Sequence, residues 1–192
     1  MNNTLLETIK IVDGKPLYPD YHQQRVKNTL QTLGYHNRFD LKDYIDPPKE
    51  GVYRCRVIYN DVVVKVEYLP YQLSAINSLK LLHCDTIEYS LKYENREKLN
   101  ALFGLREACD DILIVKNSLL TDTTKANIAL FDGSKWFTPT LPLLYGTTRS
   151  RLLDEKKIFE KSLHVNDISN FSKVAVLNAM LDFYIVKNGI IP

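Results

Sequence analysis

Three groups capable of chemistry follow one another along the chain. Lys92 lies in the run Leu91-Lys92-Tyr93-Glu94-Asn95-Arg96, Asp122 follows Thr121 with Asn127 five residues on, and Gly146-Thr147-Thr148-Arg149 comes after a Thr138-Pro139 turn. A lysine amine becomes a nucleophile when partial burial or neighbouring positive charge exposes its free base. A glycine-led turn at a helix start offers exposed backbone N–H groups to an anion. Taken singly each element has a bland explanation: a solvated cation, an acid bonding its own turn, an ordinary helix cap. Their order and spacing make the case for an amine, an acid and an anion cradle working together.

The elements that must position them are legible as patterns. Residues 5–11, Asp13-Gly14 and residues 16–18 read as a hairpin, since Asp-Gly supplies the positive φ of a tight turn. Pro19-Asp20 opens a helix with Val26, Leu30 and Leu33 on its apolar side and Gly34 as its left-handed cap. Residues 52–59 and 62–68, β-branched and aromatic, form a second hairpin across Asn60-Asp61. A lobe boundary falls near residues 69–75, after Pro70. Leu99, Leu102 and Phe103 have i, i+3, i+4 spacing, so residues 93–108 read as an amphipathic helix. Short strands at 111–115, 119–121, 128–131 and 135–137 make a meander. Residues 147–159 read as a helix, 171–180 as containing a short helix, and 183–186 as a closing strand.

With 192 residues, 45% hydrophobic and 25% charged, the chain is long enough and apolar enough for a folded core. The net charge of +2, with Lys and Arg interleaved among Asp and Glu, lacks the dense basic stripe of a nucleic-acid binder. Cys55, Cys84 and Cys109 are odd in number and widely spaced, which argues against a disulfide framework and fits a reducing cytoplasm. The polar start Met1-Asn2-Asn3-Thr4 lacks signal-peptide order, and no apolar run reaches membrane-span length. His22, His36, His83 and His164 have no metal-site spacing.

On these residues the chain resembles the class IV aminotransferases, the pyridoxal phosphate enzymes of fold type IV that include branched-chain aminotransferase, D-amino acid aminotransferase and aminodeoxychorismate lyase. Leu6-Glu7-Thr8-Ile9 with Asp13-Gly14, then His22-Gln23-Gln24-Arg25-Val26, look like the family's opening strand and its His-x-x-Arg-Leu helix. The resemblance implies that Arg25 binds the coenzyme phosphate. Lys92-Tyr93-Glu94-Asn95-Arg96 is similar to the Lys-x-x-Asn-Arg run, which implies that Lys92 forms the Schiff base and shuttles protons. Residues 121–128 look like the Thr-Glu-x-x-x-x-Asn-hydrophobic signature, whose acid, here Asp122 in place of Glu, bonds the pyridine nitrogen. Asn127 belongs to the same signature. Gly146-Thr147-Thr148-Arg149 resembles the family's phosphate turn, implying that Thr147 and Thr148 receive the anion, and Val176-Leu177-Asn178-Ala179 is similar to a late segment near the substrate pocket.

The implied fold is α/β (α+β) and two-lobed, of the D-amino acid aminotransferase type. A shortened small N-terminal α/β lobe would span 1–70. A larger cofactor-binding lobe over 76–192 would be a barrel-like β meander with flanking helices. The implied cofactor is pyridoxal 5'-phosphate, the substrate a small amino compound, and the assembly a homodimer. Arg54 and Arg56 alternate along one strand face and suit a substrate carboxylate, as does Asn178 by resemblance. The expected activity is 4-amino-4-deoxychorismate lyase of the folate pathway. The alternatives are an amino acid aminotransferase and a non-catalytic cofactor-binding homologue.

Overall fold

The computed structural model describes residues 4–191; Met1-Asn2-Asn3, part of the argument against a leader, lies outside them. Two compact units emerge, one of residues up to Leu73 with Leu91–Asn95, the other of Ser74–Ser90 with the chain from Arg96 on. The segment Leu91–Asn95, expected with the larger lobe, thus groups with the first unit. Its backbone explains why: Leu6 N–H donates to Lys92 O at 2.9 Å and Glu94 N–H to Thr4 O at 2.9 Å, so the lysine segment pairs with the start of the first strand.

In the first unit, β1 (Leu5–Val12) turns through Asp13 and Gly14, with φ of 46° and 76°, into β2 (Lys15–Pro16). Positive φ at both central residues is what the tightest hairpin turn requires. The helix α1 (Pro19–Thr32) begins on proline and ends in a Schellman closure, with Gly34 N–H on Gln31 O at 3.0 Å and Tyr35 N–H on Leu30 O at 2.8 Å. Leu33, expected on its apolar side, is 40% exposed because the helix has already ended there. β3 (Val52–Tyr59) and β4 (Val63–Pro70) complete an antiparallel sheet of order β2-β1-β3-β4. Alternation turns Leu5, Ile9, Ile11, Cys55, Val57 and Tyr59 onto Val26 and Leu30 of α1, forming this unit's core.

The second unit holds β5 (Leu79–His83), α2 (Glu97–Phe103), β6 (Asp111–Lys116), β7 (Leu119–Thr123), β8 (Asn127–Phe131) and β9 (Trp136–Pro139). It continues through α3 (Thr147–Asp154), β10 (Phe159–Lys161), β11 (Lys173–Asn178), β12 (Asp182–Val186) and β13 (Ile190–Ile191). The antiparallel meander β6 to β9 lies at the centre of a nine-stranded sheet. Parallel β5 joins β6, parallel β10 joins β9, and β11 pairs with both β8 and β12. Leu113, Val115, Leu120, Ile128, Val174 and Val176 form the main core of the unit.

Three expectations about elements are corrected. The helix read over 93–108 is only α2, because residues before Arg96 are taken up by pairing with β1. The helix over 147–159 stops at Asp154; Lys156 adopts a left-handed φ of 56° and the chain re-enters the sheet as β10. Residues 171–180 contain strand β11: a short continuous apolar run has no period of its own, and here both its faces are covered. The parallel strand β5 went unread because its five residues, Leu79-Lys80-Leu81-Leu82-His83, are too few to show a period. Among the described residues no helix is long and apolar enough to cross a membrane.

Candidate active site

In the first unit the chemistry starts from one carboxylate in the wrong place for solubility. Glu7 shares the inward face of β1 with Leu5, Ile9 and Ile11 and is fully buried. A carboxylate there is costly unless paired and hydrogen-bonded. Helix α1 supplies the partners at i, i+3 spacing: His22 Nδ1–H donates to Glu7 Oε2 at 2.6 Å, Arg25 Nε–H to Oε1 at 2.8 Å and Arg25 Nη2–H to Oε2 at 2.6 Å. Burial pushes the Glu7 carboxyl up, but the Arg25 charge and these bonds outweigh it and hold it at about 2. Burial depresses His22, which stays neutral. Lys92, half-buried, lies close enough for its charge to reinforce that depression. The fold therefore brings Arg25 and Lys92 into one neighbourhood.

In the second unit Asp122 and Asn127 face each other across β7 and β8. Asp122 Oδ1 accepts from Asn127 Nδ2 at 2.8 Å and Oδ2 from the Leu144 N–H at 2.8 Å; the same Asn127 Nδ2 also donates to Leu144 O at 2.8 Å. Among the described residues no cation forms an ion pair with Asp122. Burial pushes its carboxyl up to about 7, against the lowering pull of Asn127, Leu144 and the charge of Arg149. The pair also seats the start of α3. Gly146 caps that helix with an ordinary φ of −74°, yet a Cβ there would sit 2.0 Å from Asn127 Oδ1. Glycine is required by close approach alone. Thr147 and Thr148 follow, both buried, in the first turn, whose N–H groups have no intrahelical partner. Arg149 of the same motif instead braces the fold, donating to Pro139 O at 2.8 Å and pairing with Glu160 at 2.5 Å.

The expected substrate residues differ in what they have left to offer. Arg56 pairs with Glu67 at 2.7 Å and Glu94 at 3.6 Å. Arg54, on the same strand face, is exposed and stacks over the Tyr71 ring at 5.2 Å. Asn178 closes the β11–β12 turn: its Oδ1 accepts from Met180 and Leu181 N–H at 3.0 and 2.8 Å, and its Nδ2 donates to Lys125 O at 3.2 Å. Glu7 and His22 were not singled out from the sequence. The signal was present: Glu7 has the parity of Leu5, Ile9 and Ile11, and an acid among inward positions needs a partner.

The family model for amino-transferase class IV matches residues 91–188. An uncharacterized protein of Haemophilus influenzae is 38% identical over 182 residues, spanning 92% of this chain and 97% of its own length. Among solved structures, a candidate 4-amino-4-deoxychorismate lyase from Haemophilus somnus is 34% identical with a TM-score of 0.88, covering 94% of this chain and 97% of that one. A candidate amino-acid aminotransferase from Mesorhizobium loti shares the fold at a TM-score of 0.83 and 21% identity, covering 98% and 99%. With the lysine, acid and glycine-turn motifs in the order set out above, the chain belongs to the class IV aminotransferase family and has its fold type IV architecture.

Proposed function

We propose that this protein binds pyridoxal 5'-phosphate through Lys92 and uses it to cleave 4-amino-4-deoxychorismate into 4-aminobenzoate and pyruvate. The setting of Asp122 carries the coenzyme reading: a buried carboxylate held by neutral donors and pushed up to about 7 is one that a protonated pyridine nitrogen would complete. The remaining residues are of the kinds such a coenzyme takes. Arg25 is a guanidinium held in place, the first turn of α3 offers N–H groups and the threonines Thr147 and Thr148, and Lys92 supplies the amine.

When bound, the coenzyme supplies an electron sink for bonds broken at the substrate's amino-bearing carbon. Asp122 keeps its proton donor charged, with a shorter arm than the family's usual Glu. Asn127 and the Leu144 N–H fix the Asp122 plane, and a carboxylate with two oxygens and about four lone-pair sites has acceptor capacity beyond these bonds. The Lys92 amine, once free, takes the proton released as the ring becomes aromatic and returns it to the departing three-carbon fragment. Arg54, exposed and braced on Tyr71, is the strand cation suited to a substrate carboxylate, whereas Arg56 is already neutralised by two acids. We also propose that the protein acts as a homodimer in the cytoplasm.

The likeness to the candidate lyase supports this activity. One observation favours an amino acid aminotransferase instead. The β3–β4 turn closes tightly, with Asn60 N–H on Val62 O at 3.0 Å and Val62 N–H on Asn60 Oδ1 at 3.1 Å, where lyases of the family have a longer loop for a substrate carboxylate. A paired assay separates the readings. Equal amounts of 4-aminobenzoate and pyruvate from aminodeoxychorismate, with no turnover of L- or D-amino acids, are expected. A 2-oxo acid formed from an amino acid would select the aminotransferase. Bound coenzyme with neither product would make the protein a binding homologue.

A further inference from the structure

Arg25 is held side-on. Its Nε–H and one Nη2–H meet the two oxygens of Glu7, so the planar guanidinium has a fixed orientation and its opposite edge, with Nη1, points away from the carboxylate. His22 from the preceding turn of α1 secures the Glu7 oxygen shared with Arg25, and is itself 1% exposed. Glu7 and His22 are buried among the inward-facing residues of β1 and α1, and the Arg25 side chain beside them is 13% exposed. Stability alone does not account for such a cluster, since replacing a buried ion pair by apolar residues of similar volume is often neutral or favourable. What the cluster provides that apolar residues cannot is a cation with a defined plane.

We propose that Glu7, secured by His22, is a positioning residue that orients Arg25 to receive the phosphate of a phosphorylated vitamin B6 coenzyme, and so sets the preference for the phosphorylated over the dephosphorylated form. The inference rests on the coenzyme reading above and adds to it a residue that never touches the ligand. Glu7 acts through geometry against its own charge. A carboxylate behind the arginine lowers the local positive potential, so a purely electrostatic site would be better without it. A fixed bidentate donor, in contrast, loses less freedom on meeting a phosphate.

The test compares binding of pyridoxal 5'-phosphate and pyridoxal, each titrated by absorbance, in the wild type, Glu7→Gln and Glu7→Asp. Gln presents an amide N–H to donors and breaks the side-on pair. Asp keeps the charge that balances the arginine in the fold but shortens the reach, and it serves as the readout if the Gln variant does not fold. The expected result is at least a tenfold loss of the preference for the phosphorylated form in both variants, with pyridoxal affinity held within about twofold. Equal weakening of both ligands would reduce Glu7 to a structural residue and overturn the proposal. So would an unchanged preference in either variant, or tighter phosphate binding in Glu7→Gln. If the wild type binds neither ligand, the coenzyme reading itself has failed, a result distinct from all of these.

Discussion

At the scale of single residues, two buried carboxylates are tuned in opposite directions by their partners. Glu7, with a cation and a neutral histidine bonded to it, stays ionised to about pH 2; Asp122, with only neutral donors bonded to it, titrates near 7. The sign of each effect on stability follows. Glu7 stabilises the fold above its unfolded pKa, and that contribution is lost as pH falls through the folded value. Asp122 has its folded pKa raised, so the coenzyme-free fold holds a proton that the unfolded chain releases, and stability declines as pH rises from about 4 to 7. Comparing the wild type with Asp122→Asn by urea denaturation isolates that term, because Glu7 and His22 contribute equally to both. The wild type is predicted to lose on the order of 1.4 kcal/mol per pH unit relative to the variant across this window; parallel profiles would refute the assignment. Asp122 was legible in the sequence from its motif. That no cation among the described residues bonds it was not, because the residues around it come from three separate stretches of chain.

At the scale of elements, the acid pair and the anion turn are one construction. Asn127 of β8 reaches Asp122 of β7 and the backbone that leads into α3, and Gly146 yields space to it. Gly146→Ala keeps an allowed backbone but drives a methyl into the Asn127 amide. It should destabilise the protein by roughly 1–3 kcal/mol, the usual cost of overpacking, as measured by denaturant midpoint. A neutral result would mean that the amide can move aside without cost. The hairpins and α1 were readable because their turn residues carry the geometry: Asp13-Gly14 and Gly34 adopt the left-handed conformations their types favour. β11 was not, since a buried strand and a buried helix turn look alike over six residues, and neither was β5, whose five residues are too few to show a period. The late start of α2 and the early end of α3 reflect tertiary pairing of Leu91–Asn95 and Phe159–Lys161, which no local period announces.

At the scale of the molecule, the contact pattern separates two units that meet in sequence at Leu73 and exchange the lysine segment. Lys92 belongs by its backbone to the sheet of β1, although the chain on either side of its segment lies in the other unit. Alternation and turn chemistry marked the hairpins of the first unit and the meander of the second. The return of residues 91–95 to the first could not be read, because strand pairing at a free edge depends on which backbone happens to arrive there. The proposed homodimer predicts a sedimentation mass of about twice 22.2 kDa for the native protein, and a single monomeric species would contradict it. Most direct of all is reduction of the coenzyme-loaded protein with borohydride followed by peptide mapping. The adduct is predicted on Lys92 and absent in Lys92→Ala, and an unchanged adduct in that variant, or its capture on another lysine of the wild type, would contradict the account.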